Sequence, residues 1–169
     1  MKQGLEEFNA LSLAEAESEL MKCCGSSRWA RALAGARPFN DIEEMLAASD
    51  RIWWSLDAGD WLEAFSHHPQ IGEKGAERPQ AAEASRWSEE EQSGTRTAEA
   101  ETLAALARAN RAYLQKFGHI FIVCATGKST EEMLALCEER LPHDPETELR
   151  IAAEEQRRIT HLRLRKMLG

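Results

Sequence analysis

The chain has little of what membranes, nucleic acids or metals require. Its longest apolar run, residues 120–125, falls far short of the about 20 residues that span a bilayer, so no membrane is expected as a partner. Basic residues are outnumbered, 21 Lys and Arg against 29 Asp and Glu, giving a net charge of -8 at pH 7. A surface of that sign repels phosphate backbones, and no nucleic acid is expected either. A small anion is not excluded, since a pocket needs only a few local donors. The four cysteines, Cys23, Cys24, Cys124 and Cys137, form no Cys-x-x-Cys pair. They read as small core hydrophobes of a reduced compartment. Neither His-x-x-x-His nor Glu-x-x-His occurs, and the neighbours His67 and His68 would point about 100° apart on a helix. No metal is expected. The opening MKQGLEEF lacks the basic-then-apolar layout of a signal peptide, and the closing Arg165-Lys166-Met167-Leu168-Gly169 is not a peroxisomal address, which makes a cytoplasmic location the expectation.

What remains is an ordinary globular chain: 169 residues, 43% hydrophobic and 30% charged, enough for one domain with a real core. Ser12-Leu13-Ala14-Glu15 has capping-box spacing and predicts a helix to about Lys22. A short helix over 27–34 is stopped by Gly35 and Pro38. Asn40 is expected to cap a third, in which Ile42, Met45, Leu46, Ser49, Ile52, Trp53 and Leu56 form one stripe. Trp54 stands off that stripe, as core or as an interface residue of a homodimer. A helix over 60–67 ends before Pro69. Residues 69–86 lack helical period and hold Pro69, Gly72, Gly75 and Pro79, which predicts a long functional loop. A long helix then runs from near Ser88 to Phe117, with Gly118 as its stop. Residues 120–125 look like a strand with no partner, hence a buried extended segment or a distorted turn. Ser129-Thr130-Glu131-Glu132 is a second capping box, and Asp144-Pro145 opens a last helix to about Leu168. The fold expected is all-α: a single-domain, compact helical bundle over 1–169 with a long catalytic loop.

Four places could carry chemistry. His68, with His67, ends a helix before Pro69-Gln70-Ile71-Gly72. Such a position suits an acid/base imidazole, and equally a histidine that caps the last carbonyls. Ser88-Glu89-Glu90-Glu91-Gln92 is either a cap or a helix N-terminus whose amides, with Glu91 and Gln92, face an anion or polar heterocycle. Arg163 flanks an apolar stripe, four residues from both Ile159 and Met167. It must snorkel, pair with a structural acid, or bind a carboxylate. The run 120–125 exposes backbone groups that either a neighbouring core or a ureido ligand would satisfy. Gly127-Lys128-Ser129 lacks the first glycine of a phosphate-binding loop at the required spacing, and that reading fails.

In order along the chain, His68-Pro69-Gln70-Ile71-Gly72, Ser88-x-x-Glu91-Gln92, Phe117-Gly118 leading into 120–125, and Ile159-x-x-x-Arg163-Leu164 resemble the OHCU (2-oxo-4-hydroxy-4-carboxy-5-ureidoimidazoline) decarboxylase family. Trp29 and Arg37-Pro38-Phe39 fit its amino-terminal pattern, and the resemblance runs from 8 to 168. It implies an all-α fold and release of carbon dioxide from a small ureidoimidazoline substrate to give (S)-allantoin, the last step of urate oxidation, without cofactor. It implies His68 and Glu91 as catalytic groups. It also implies Pro69, Ser88, Gln92, Arg163 and the backbone near Ile120, Phe121 and Ile122 as the substrate-binding set. His119 has no role carried over. Two other readings stand beside it: a hydrolase of a ureido compound, which would release ammonia, and a non-enzymatic helical interaction domain, in which His68, Glu91 and Arg163 would lie far apart.

Overall fold

The computed structural model describes residues 2–69 and 100–169, and among these it holds eight helices and no strand. They are α1 (Lys2–Ala10), α2 (Leu13–Cys23), α3 (Ser27–Gly35), α4 (Ile42–Ser55), α5 (Ala58–Ser66), α6 (Ala100–Phe117), α7 (Thr130–Arg140) and α8 (Pro145–Met167). The all-α expectation is met. The expected loop over 69–86 and the start of the long helix near Ser88 fall, apart from Pro69, outside the described residues. No described helix is long and apolar enough to cross a membrane.

The chain packs as two compact units, Met1–Ala64 with Arg157–Gly169, and Phe65–Gln156. In the first, helix boundaries follow from local chemistry. Ser12 and Glu15 close a reciprocal capping box on α2, with the Ser12 N–H donating to Glu15 Oε2 at 2.9 Å. The cap of α4 is Asp41, whose Oδ1 accepts from the Glu44 N–H at 2.8 Å, and not Asn40 as the sequence suggested. The Asn40 N–H instead donates to the Glu44 carboxylate at 2.7 Å, so both residues serve the same first turn. The helix expected from residue 60 starts at Ala58, because the Asp57 carboxylate and carbonyl accept from the N–H groups of Asp60 and Trp61. Helix α1 was not foreseen. Arg37 holds its end by donating to the carbonyls of Phe8 and Leu11, and Asn9 exchanges two hydrogen bonds with the Phe39 backbone. Leu20, Trp29, Leu33, Met45 and Trp53 are fully buried in this unit. Trp29 Nε1 donates to Ser49 Oγ and Trp61 Nε1 to the Trp53 carbonyl, so the buried indoles keep their hydrogen bonds. Trp54 is exposed, edge-on to Trp61.

In the second unit α6 packs on α7. A core of Leu106, Ala109, Tyr113, Met133 and Cys137 receives Phe121, Val123 and Ala125 from the connecting segment. Those three share a face at a spacing of two, the signature of extended chain. Residues 120–125 belong to no helix or strand, which matches the buried extended segment expected from the sequence. The capping box at Ser129 and Glu132 opens α7 as expected, and Asp144 accepts from the Thr147 N–H where Pro145 starts α8.

Candidate functional site

α5 ends at Ser66, and the His68 N–H closes one further turn on the Phe65 carbonyl at 3.1 Å. Pro69 follows and prevents the helix from continuing. His67 is exposed and His68 half-buried. The His68 ring is anchored: Nε2 lies 2.6 Å from Gln156 Oε1, and Gln156 is wholly buried on α8. An amide oxygen only accepts, so Nε2 carries a proton and the bond sets both tautomer and ring orientation.

The residue before it, Glu155, holds the other half of the site. Its carboxylate accepts from the Cys124 N–H at 2.7 Å. The Cys124 carbonyl accepts from Lys128 Nζ, and the Ile122 carbonyl from Arg140 Nη1, each at 2.7 Å. Arg140 is buried and in turn bound by Glu148, which is fully buried, with Nε to Oε1 at 2.6 Å. Tyr113 donates its hydroxyl to the same oxygen at 2.5 Å, and the guanidinium lies 4.6 Å over the Phe121 ring. Burial, with the Glu148 carboxylate beside it, pushes the Tyr113 phenol well above its ordinary range, so it stays a donor. Ile120, Phe121 and Ile122 thus lie in a segment held by charged side chains. This was half legible. The run's polar backbone was expected to need partners, and Arg140, Glu155 and Lys128 supply several of them.

His119 sits at the entry to this segment, packed against Phe65 at 5.2 Å, Tyr113 at 5.5 Å and Phe117. Its Nδ1 lies 3.0 Å from the Ile120 carbonyl and so donates to it. Burial holds its pKa below the usual imidazole value.

Of the residues singled out from sequence, the second unit brings together the anchored His68, Pro69 beside it and the segment of Ile120, Phe121 and Ile122, through consecutive residues of α8. Arg163 belongs to the first unit. It is buried and does not snorkel, and its charge acts on the thiols of Cys23 and Cys24. Burial outweighs that charge, and the Cys24 thiol is pushed up to about 11. Ser88, Glu91 and Gln92 lie outside the described residues. Sequence reasoning missed Tyr113, Arg140, Glu148, Glu155 and Gln156. The signal was present for three of them. Arg140 follows Met133 and Cys137 on one face, and Glu148 and Gln156 share the stripe of Ala152, which places polar groups on buried helical positions.

Fold and site describe an all-α protein with a fixed histidine and an irregular, backbone-rich segment pinned by the same helix. The OHCU decarboxylase family profile matches residues 9–165. The uric acid degradation bifunctional protein TTL of Arabidopsis thaliana is 41% identical over 90% of this chain, which spans 47% of that protein's length. A 2-oxo-4-hydroxy-4-carboxy-5-ureidoimidazoline decarboxylase of Amia calva is 30% identical, over 82% of this chain and 79% of its own. A crystal structure of an OHCU decarboxylase in the presence of (S)-allantoin superposes with a TM-score of 0.77 at 38% identity, covering 89% of this chain and 97% of that one. The fold also recurs in an (S)-allantoin synthase, with a TM-score of 0.73 at 20% identity over 98% of this chain and 53% of that one. The chain belongs to the OHCU decarboxylase family.

Proposed function

We propose that this protein decarboxylates OHCU to (S)-allantoin and carbon dioxide, the closing step of urate oxidation, with His68 as its acid/base. The observation that carries this reading is the Gln156-anchored imidazole at the end of α5, in a chain matching the family from 9 to 165. That unbroken match also supports one functional domain.

In the reaction the bond from ring carbon to carboxylate breaks, and its electron pair enters the adjacent imine-type system of the substrate ring, which serves as the sink. The imine nitrogen takes up a proton, the hydroxyl gives up its proton and becomes a carbonyl, and another proton is delivered to one face of the carbon bearing the ureido group. Net, one solvent proton is taken up per carboxylate lost. Three tasks fall to the protein: alignment of the carboxylate, stabilisation of developing charge, and one-sided proton delivery. His68 suits the last, because imidazole titrates near neutrality and a fixed ring delivers from a fixed direction. In this reading Glu91 is the second catalytic group and orients a hydroxyl or ureido N–H. Arg163 or the amides near Ser88 hold anionic oxygen, and Gln92 helps to bind and orient the substrate. Pro69 shapes the wall beside His68. Main-chain groups in the stretch around Ile120, Phe121 and Ile122 meet the ring and ureido group. The exposed Trp54 and Leu62 give a homodimer its natural contact, and four buried, unbridged cysteines suit a cytoplasmic location.

The test is to supply freshly generated OHCU and follow the optical activity of the allantoin formed. The protein is expected to give one enantiomer with carbon dioxide and no ammonia. Racemic product at the rate of the protein-free blank defeats the proposal, and ammonia release favours a ureido hydrolase.

A further inference from the structure

The segment 120–125 has two unlike edges. In extended chain the N–H and C=O of one residue point the same way, and those of the next residue point oppositely. On the edge of Ile122 and Cys124, charged side chains take three successive groups: Arg140 the Ile122 carbonyl, Glu155 the Cys124 N–H and Lys128 the Cys124 carbonyl. On the opposite edge the N–H and C=O of Phe121 and Val123 meet no hydrogen-bond partner among the described residues, although both residues are buried. Buried backbone polar groups normally find partners. Each residue on that edge offers a donor beside an acceptor, the complement of an amide or ureido edge, and the two pairs repeat about 7 Å apart.

We propose that Arg140 and Glu155 are positioning residues that fix the peptide planes on either side of Val123, so that its N–H and C=O, in line with those of Phe121, form a donor–acceptor rail for the ureido or ring-amide edge of the substrate. The inference rests on the decarboxylase reading and deepens it. Neither side chain is asked to touch the substrate. Arg140 fixes one plane through the Ile122 carbonyl and also braces the Phe121 ring. Its own orientation comes from Glu148 and Tyr113. Glu155 fixes the next plane and is followed directly by Gln156, the anchor of His68. One turn of α8 therefore sets the rail and the acid/base together.

The experiment is steady-state kinetics on freshly generated OHCU for the wild type, Glu155→Ala, Glu155→Gln and Arg140→Lys, with thermal unfolding of each. Loss of a hydrogen bond to a charged group should raise KM about tenfold in Glu155→Ala, with kcat and the unfolding midpoint changed far less. Glu155→Gln should restore KM, because its amide oxygen still accepts the Cys124 N–H. Arg140→Lys should raise KM as well, since one ammonium cannot reproduce the planar fork that serves Glu148 and Ile122 at once. A wild-type KM in Glu155→Ala, or no rescue by Glu155→Gln, overturns the positioning role. Absence of turnover by the wild type overturns the function itself, so the two failures are told apart.

Discussion

The two units of this chain solve burial differently. The first buries large apolar side chains, Leu20, Trp29, Leu33, Met45 and Trp53, and several of its ion pairs stay near the surface, as between Arg165 and Glu43. The second places a guanidinium, a carboxylate and a phenol in its interior and uses them to hold an irregular segment. Burying charge costs solvation that Coulomb attraction alone seldom returns. Such an arrangement persists where backbone geometry has to be specified, and residues 120–125 are backbone of that kind. The contrast teaches where to look for main-chain chemistry: in the unit whose buried charges hold an irregular segment.

The largest expected effect tests that inference directly. His68→Ala should lose about 10²- to 10⁴-fold in turnover, the usual worth of a positioned acid/base, while unfolding near the wild-type temperature. Near-normal kinetics would separate the polar unit from the chemistry and break the comparison. Gln156→Leu should fall between His68→Ala and the wild type, because the ring remains but loses the oxygen that holds its Nε2 proton.

Next comes a matched pair of ion-pair deletions. Arg140→Met takes the guanidinium from the buried Glu148 carboxylate and should cost about 3–5 kcal/mol. Arg165→Met removes an exposed pair and should cost about 1 kcal/mol or less. Chemical denaturation of both variants measures the difference. Equal losses would mean that the Arg140 pair is solvated far more than its burial indicates.

These contrasts also explain what could be read from the chain. The capping boxes at Ser12 and Ser129 and the Asp144-Pro145 start were legible because caps act within one turn and need no tertiary partner. The extended run at 120–125 was legible from its β-branched, apolar composition. Helix α1 was not, since its end is held by Arg37 and Asn9 meets Phe39, each from beyond α3. Asn40 and Asp41 are both good caps, and only geometry decides between them. For the site, His68 stood out by position. Gln156 and Glu148 did not, although both are polar residues at buried stripe positions, the same sign that drew attention to Arg163. The general rule was available, but a stripe does not say which polar group faces which partner.

A smaller effect concerns pH. Burial among Phe65, Tyr113 and Phe117 lowers the His119 pKa, so the unfolded chain binds its proton more readily than the folded one. Stability from this group is then fully present above the unfolded value of about 6.5 and is lost as pH falls toward the lower folded value. The unfolding midpoint should therefore drop on acidification below about pH 6.5, and His119→Phe should flatten that part of the curve. An unchanged slope in the variant would assign the acid sensitivity to other groups.

The smallest expected effects reverse the ranking of the two units. Ser26 caps α3 in the first unit and Ser129 caps α7 in the second, accepting from the N–H of Trp29 at 3.3 Å and of Glu132 at 3.1 Å. The bonds are alike, but Ser26 is fully buried and Ser129 only half so. When Ser129→Ala removes the oxygen, water reaches the Glu132 N–H, and the cost should sit near the low end of a cap's worth, about 0.5–1 kcal/mol. When Ser26→Ala does so, water cannot enter, the Trp29 N–H loses its partner inside the core, and the cost should approach about 2 kcal/mol. If denaturant titrations gave Ser129 the larger value, cap energetics here would follow the polarity of the surrounding unit. The expected order instead ties the cost to whether solvent can replace the lost oxygen. On that account the apolar unit is the less forgiving of the two wherever it hides a polar group.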